Sequence, residues 1–328
     1  MIITRTPFRV SFFGGGTDFP EWFRENGGSV LSTTIDKYCY ITCRALPQFF
    51  DHKHRIVYSK IENVNDSKDI NHPVARVAIE MFGGNVGLEI HHDGDLPARS
   101  GLGSSSSFTV GLINAINALK GQYMSKYDLA QLAIEIEQKI LKENVGCQDQ
   151  VAVAYGGFNK IKFNIDGSFS VIPLICPKER VNQLANHLML FFTGISRNST
   201  EIAEAQIENI KNRTSILKDM QRQVDRGIEI LTDLSVNIDE FGQLLHQAWL
   251  LKKSLSNKIT TVLVEDMYAA ALRSGATGGK VLGAGGGGFL LLFVKPDRQK
   301  SVLKALKNYI HVPVSFDNDG SRVIYYNP

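Results

Sequence analysis

Leu96 to Phe108 reads Leu-Pro-Ala-Arg-Ser-Gly-Leu-Gly-Ser-Ser-Ser-Ser-Phe and runs directly into the apolar segment Val110 to Leu119. A glycine and serine run taken alone reads as a flexible linker. Linkers are not usually pinned by a proline such as Pro97 and followed at once by an apolar helix. The stretch therefore predicts an anion cradle. Arg99 and Ser100 lead in, and Gly101 and Gly103 flank Leu102, so the backbone can turn tightly and converge its N–H groups on phosphate oxygens. Ser104, Ser105 and Ser106 then open a helix whose positive end points into the same loop. A serine hydroxyl there suits a magnesium ion, which takes oxygen ligands near phosphates. The loop lacks the Gly-Lys-Ser/Thr ending of a Walker motif, so no lysine comes from within it and another basic residue must serve the phosphates.

At 328 residues, with 43% hydrophobic and 21% charged residues, the chain predicts a globular protein of two domains. The net charge of +3, with no block of like charges, argues against a nucleic-acid track or a membrane surface. No apolar run approaches the roughly 18 residues of a membrane span, and the start lacks a signal-peptide pattern, so a cytoplasmic location is expected. Cys39, Cys43, Cys147 and Cys176 lack Cys-x-x-Cys spacing, and Cys39 and Cys43 on one strand would lie about 13 Å apart. Free thiols follow.

The first segment, Met1 to Phe13, reads as a strand entering the turn Gly14-Gly15-Gly16-Thr17-Asp18. Gly15 and Gly16 let backbone approach a ligand, to which Thr17 and Asp18 offer a hydroxyl and a carboxylate; an ordinary turn capped by Asp18 is the plainer alternative. Strands are predicted over 29–45, 55–60 and 86–92. Ser125 and Asp128 cap a helix whose apolar face runs from Leu129 to Leu141, and at 100° per residue Glu137 falls on that face. A carboxylate pointing inward must be paired, hydrogen-bonded or bound to a metal, unless it snorkels at an edge. Asp149 is expected in a loop leading into an apolar element, as a catalytic carboxylate or a helix cap. A hairpin over 158–174 precedes a junction placed near 177–186, which divides the chain into 1–182 and 183–328. Beyond it a strand over 187–193, helices over 200–234, 239–255 and 261–273, and a second glycine-rich loop containing Gly285, Gly286 and Gly287 are predicted. That loop would join two strands as a hairpin. A helix over 299–309 and strands near 312–316 and 322–326 follow.

Three motifs in this order, Pro7-Phe8-Arg9-Val10-Ser11 with Gly14 to Asp18, Pro97 to Ser106, and Leu282 to Gly288, resemble the GHMP kinases over essentially the full length. The resemblance implies an α+β fold of two domains, an N-terminal one like ribosomal protein S5 domain 2 and a C-terminal ferredoxin-like one with added helices. It implies that residues 97–106 bind ATP and that Ser105 joins Glu137 in holding Mg²⁺. Asp149 looks like the base for the substrate hydroxyl, and Arg9 sits near it to support the developing charge. Gly285 to Gly287 close on nucleotide and substrate, while Gly15, Gly16, Thr17 and Asp18 meet the sugar. The version around Thr17-Asp18 is most similar to the heptose 7-phosphate kinase branch, with fucokinase domains next. The expected activity is phosphorylation of the anomeric hydroxyl of D-glycero-D-manno-heptose 7-phosphate to the 1,7-bisphosphate, with Lys37, Lys53, Arg55 and Arg76 as candidates for the distal phosphate. An unphosphorylated sugar such as fucose or galactose, and a non-catalytic nucleotide and sugar sensor, are the alternatives; a homodimer is left open.

Overall fold

The computed structural model describes residues 1–194 and 199–328. The chain begins with β1 (Ile2–Phe13), α1 (Pro20–Asn26), β2 (Gly28–Ala45), β3 (His54–Val57), β4 (Ile61–Val64), α2 (Pro73–Phe82) and β5 (Leu88–Gly94). Next come α3 (Ser104–Leu119), α4 (Lys126–Ile134), α5 (Gln148–Tyr155), β6 (Phe158–Phe163), β7 (Phe169–Pro173), α6 (Lys178–His187) and β8 (Leu188–Phe192). The remainder is α7 (Ser199–Asn209), α8 (Thr214–Thr232), α9 (Asp239–Lys253), α10 (Val262–Arg273), β9 (Ala276–Val281), β10 (Phe289–Val294), α11 (Gln299–Ala305), β11 (Ile310–Val312), β12 (Phe316–Asp317) and β13 (Arg322–Tyr326).

Two sheets organise these elements. The larger is built around β2, a strand long enough to pair with β1 along its length, with β6 along its first part and with β5 along its second. Thr, Val, Ile and Tyr are frequent in it, as suits a pleated surface, and it is buried on both faces over residues 28–35 and partly open beyond. The smaller sheet has the order β11-β8-β10-β9 with every pair antiparallel. With helices between its first two strands and before its last, this is the β-α-β-β-α-β arrangement of a ferredoxin-like domain.

The tail does something the periodicity did not signal. The strand read over 312–316 is divided between the two sheets: β11 pairs with β8, whereas β12 pairs with β2 and β13 with β1. The chain thus re-enters its first sheet at the end. The stretch 177–186, read as a junction, is mostly helix α6, and the region read as one helix over 200–234 is broken by a 3₁₀ turn at Ile210–Arg213. The apolar core likewise joins both halves of the chain. Phe12 and Phe13 at the end of β1 pack edge-on against Phe241 of α9 at centroid separations of 5.3 and 5.1 Å. Aromatic pairs of this geometry add roughly 0.5–1.5 kcal/mol beyond the area they bury. They hold the end of β1, and with it the turn that follows, against the smaller sheet and its helices.

Candidate active site

The Gly101 to Gly103 loop and the Gly283 to Gly288 loop meet backbone to backbone. A Cβ on Gly101 (φ 82°) would fall 2.4 Å from the Leu282 carbonyl oxygen, and one on Gly283 would fall 2.4 Å from Gly101 Cα. Only glycine permits both the left-handed backbone and the approach. Gly101→Ala should therefore lower the unfolding midpoint by roughly 2–4 °C and weaken ADP binding in a titration. Unchanged ADP affinity in a folded variant would show that this contact does not shape the nucleotide site.

Beyond the loop, α3 starts at Gly103 (φ 76°) with no side-chain cap, which leaves its first N–H groups directed outward for an anion. Pro97, Arg99 and Ser105 are exposed, Ser104 is half-buried, and its hydroxyl accepts from Arg99 N–H at 3.2 Å. Ser100 is buried and its hydroxyl has no partner among the described residues.

Glu137 is 1% exposed. The helix carrying it changes to a π-turn at Glu135–Ile140, the kind of local widening that often marks functional sites. The predicted inward face is thus observed. The serine against Glu137 is Ser106 at 3.1 Å, not Ser105, because Ser105 takes the solvent side of the first turn of α3. Gln150 Nε2 donates to the same carboxylate oxygen, Oε2, at 2.5 Å. The other oxygen, Oε1, is buried without a partner among the described residues. Burial raises the Glu137 carboxyl to about 7, against the pull of hydrogen bonds from Thr109, Gln150 and Ser106. A buried acid bonded to a serine hydroxyl in the first turn of α3 fits a hard divalent cation.

Arg9 and Asp149 form the centre. Arg9 Nε donates to Asp149 Oδ1 at 2.7 Å and Nη2 donates to Oδ2 at 2.6 Å, while Nη1 donates to the Gly101 carbonyl at 2.7 Å. The Arg9 side chain is 3% exposed and that of Asp149 is 26% exposed, so the pair is anchored from behind and reachable from the cleft. Gly103 lies against both: a Cβ there would stand 3.1 Å from Arg9 Cγ and 3.6 Å from Asp149 Oδ2. Asp149 lies in the first turn of α5 and not in the loop before it. Gln148 beside it accepts from the Ser11 hydroxyl at 2.7 Å.

The Gly14 to Asp18 turn borders this centre but faces inward. The Thr17 hydroxyl lies 2.8 Å from Gly14 O and 2.9 Å from Ser29 O and accepts from Ser29 N–H at 3.1 Å. Thr17 is fully buried, so it builds the turn and does not present its hydroxyl to a sugar. Asp18 Oδ1 accepts from Gly16 N–H at 2.8 Å and Oδ2 from Gln148 N–H at 3.3 Å. Burial, and further the charge of Asp149, raise its carboxyl above the ordinary range. Gly286 N–H donates to Ile259 O at 2.7 Å, and Gly285 and Gly287 stand at φ 114° and 156°.

Two lysines that the sequence reading passed over complete the surroundings. Lys252 of α9 donates to the Gly283 carbonyl, and Lys280 of β9 donates to Phe12 O at 2.8 Å. They are 7% and 4% exposed. Burial, and next the charge of Arg9, bring the Lys252 ammonium down to about 8, and burial lowers Lys280 well below its ordinary value. A lysine in the apolar spacing of a helix was the available signal for Lys252, but the same spacing suits a snorkelling side chain. The four distal-phosphate candidates show no joint site: Lys37 bonds Asp36 at 3.0 Å, Arg55 lies 3.7 Å from Glu89, Arg76 donates to Ile70 O, and Lys53 borders a cavity with His54 and Asp66.

What such groups can do together is move a phosphoryl group, since that reaction asks mainly for positioning and charge neutralisation. The class is a kinase built on two sheets with the site at their meeting edge. The family description "GHMP kinases N terminal domain" matches residues 70–157, and "GHMP kinases C terminal" matches residues 233–311. The D-glycero-alpha-D-manno-heptose 7-phosphate kinase of Campylobacter jejuni is 31% identical over 316 residues, covering 93% of each chain. The bifunctional fucokinase/GDP-fucose pyrophosphorylase of Arabidopsis thaliana is 25% identical, covering 95% of this chain and 31% of that protein. Among solved structures, a D-glycero-D-manno-heptose 1-phosphate kinase from Bacteroides thetaiotaomicron superposes with a TM-score of 0.81 over 100% of both chains at 24% identity. The chain belongs to the GHMP kinases, and it is an ATP-dependent sugar kinase of that family. No helix among the described residues is long and apolar enough to cross a membrane.

Proposed function

We propose that the chain phosphorylates the anomeric hydroxyl of D-glycero-D-manno-heptose 7-phosphate, using ATP with Mg²⁺ and giving the 1,7-bisphosphate. The observation that carries the reaction is the Arg9–Asp149 pair, whose carboxylate opens to the cleft directly behind Gly103. The full-length likeness to the Campylobacter kinase supports the choice of sugar.

In this reading residues 97–106 and the N–H groups at the start of α3 bind the ATP phosphates. Glu137 and Ser106 would hold Mg²⁺, with Ser105 on the open side of the same turn. The bound ion supplies neutralising charge to the phosphate oxygens. The sugar lies against the backbone at Gly15 and Gly16, which the buried Asp18 holds in place from behind, with Gly285 to Gly287 on its other side. Asp149 accepts the anomeric proton, and Arg9 keeps the carboxylate oriented and balances its charge. Thr17 acts by shaping the turn.

A panel of sugars and sugar phosphates assayed with ATP tests the substrate. Charge-assisted contacts to phosphate are about twice as strong as neutral hydrogen bonds, so heptose 7-phosphate should exceed free heptose, fucose and galactose in kcat/KM by orders of magnitude. Equal turnover of free heptose or fucose would sink the sugar-phosphate assignment and leave the sugar kinase in place.

A further inference from the structure

We propose that Lys252 is a catalytic residue whose ammonium contacts the phosphoryl group during transfer. This deepens the kinase reading and rests on it, but it does not depend on which sugar is used.

The glycine and serine loop carries no lysine, and its one cation, Arg99, is exposed ahead of the turn, so a buried cation facing the transferred group has to come from another element. Lys252 stands in the last turn of α9 and is 7% exposed. Its ammonium has three N–H donors and one acceptor among the described residues, the carbonyl of Gly283. That carbonyl anchors it at the seam where Gly283 touches Gly101. The ammonium is therefore held beside the nucleotide loop with donors to spare.

The charged groups that act on Lys252 come from three other elements. Arg9 extends from β1, Asp18 from the turn that follows, and Asp149 from α5; Lys280 of β9 is coupled to it as well. Arg9 is committed to Asp149 and the Gly101 carbonyl, and Lys280 to the carbonyl of Phe12. Three cations against two carboxylates leave a formal surplus of one positive charge, 3 − 2, when all are ionised. An anion placed among them restores the balance. Burying an ammonium with no carboxylate bonded to it is expensive, and a perturbed group of this kind beside a cleft is a functional-site candidate. A phosphoryl group in transfer carries its charge on three oxygens, and it must pass between the loop and Asp149; the ammonium is held at the Gly283–Gly101 seam of that loop and feels the charge of Asp149.

Burial and Arg9 bring the ammonium to about 8. Its charged form is thus present below that pH and is lost as pH rises through it. This supplies a signature that a purely structural lysine lacks.

The test uses the full-length enzyme with whichever sugar the wild type phosphorylates best in the panel, so an error in the sugar assignment appears there and not here. Lys252→Met should lower kcat by about 10² to 10³, the scale of losing one donor to developing charge, while KM for the sugar stays near the wild-type value and ADP still binds. In the wild type kcat should fall above about pH 8, and in Lys252→Arg, whose guanidinium keeps the charge, the fall in the kcat that remains should move to higher pH. The proposal is overturned if a folded Lys252→Met keeps its kcat, whether or not KM rises. It is overturned equally if the alkaline fall stays in place in Lys252→Arg, a result that decides the matter even if the methionine variant does not fold.

Discussion

Asp149→Asn should reduce turnover by about 10² to 10⁴, the usual contribution of a positioned general base, while ADP binding persists. The variant keeps the shape of the side chain but replaces a charged acceptor with an amide that cannot take the anomeric proton. It also disturbs the clamp. Arg9 donates twice to this carboxylate, and an asparagine turns one of those contacts into a donor facing a donor. The Arg9 side chain is 3% exposed, so stability must be measured beside turnover, because an uncompensated buried charge is costly. A nucleotide titration and a denaturation curve separate the outcomes. Near-wild-type turnover in the folded variant would remove Asp149 from the chemistry and leave positioning and electrostatics to carry the reaction.

Glu137→Gln has the second large effect, and its sign differs between stability and function. Burial raises this carboxyl from 4.5 to about 7, so the fold favours the protonated acid. The stability that this preference contributes is fully present below pH 4.5 and is lost as pH rises through about 7. At 1.36 kcal/mol per unit the loss has a ceiling of about 3 kcal/mol. Glutamine cannot ionise. In EDTA at pH 8 the variant should therefore resist urea better than the wild type, and the advantage should shrink toward pH 5. Added Mg²⁺ should stabilise the wild type by binding the native state and should leave the variant nearly unmoved. An equal Mg²⁺ response in both proteins would remove Glu137 from the cation site.

The elements legible in the sequence were those with strong local signals. The helix after the serine loop, the cap at Ser125, the inward turn of Glu137 and the hairpin joining β9 to β10 all follow from periodicity, turn chemistry or glycine content, and the structure has each of them. Element boundaries were less legible, because helix and strand ends depend on what they pack against. The single helix expected over 200–234 is broken within its apolar spacing by a 3₁₀ turn. The serine contacting Glu137 also escaped the reading. Four serines in a row are equivalent by spacing, and only the orientation of α3 against the π-turn selects Ser106.

By itself the sequence determined the groups that the chain can offer: a glycine and serine loop opening a helix, a carboxylate at the head of an apolar element, an inward acid, and two glycine turns where backbone must come close. These are properties of residue type and of separations within a few turns of chain, which covalent geometry carries. Tertiary structure alone decided which of these groups meet. Arg9 and Asp149 are 140 residues apart and share two hydrogen bonds, and Lys280 reaches the carbonyl of Phe12 across 268. The last strand closes on the first through β13 and β1. No local pattern encodes such contacts, because each becomes favourable only once the two sheets share one core, where burial removes water and leaves each charged group to find its partner in the protein or in a ligand.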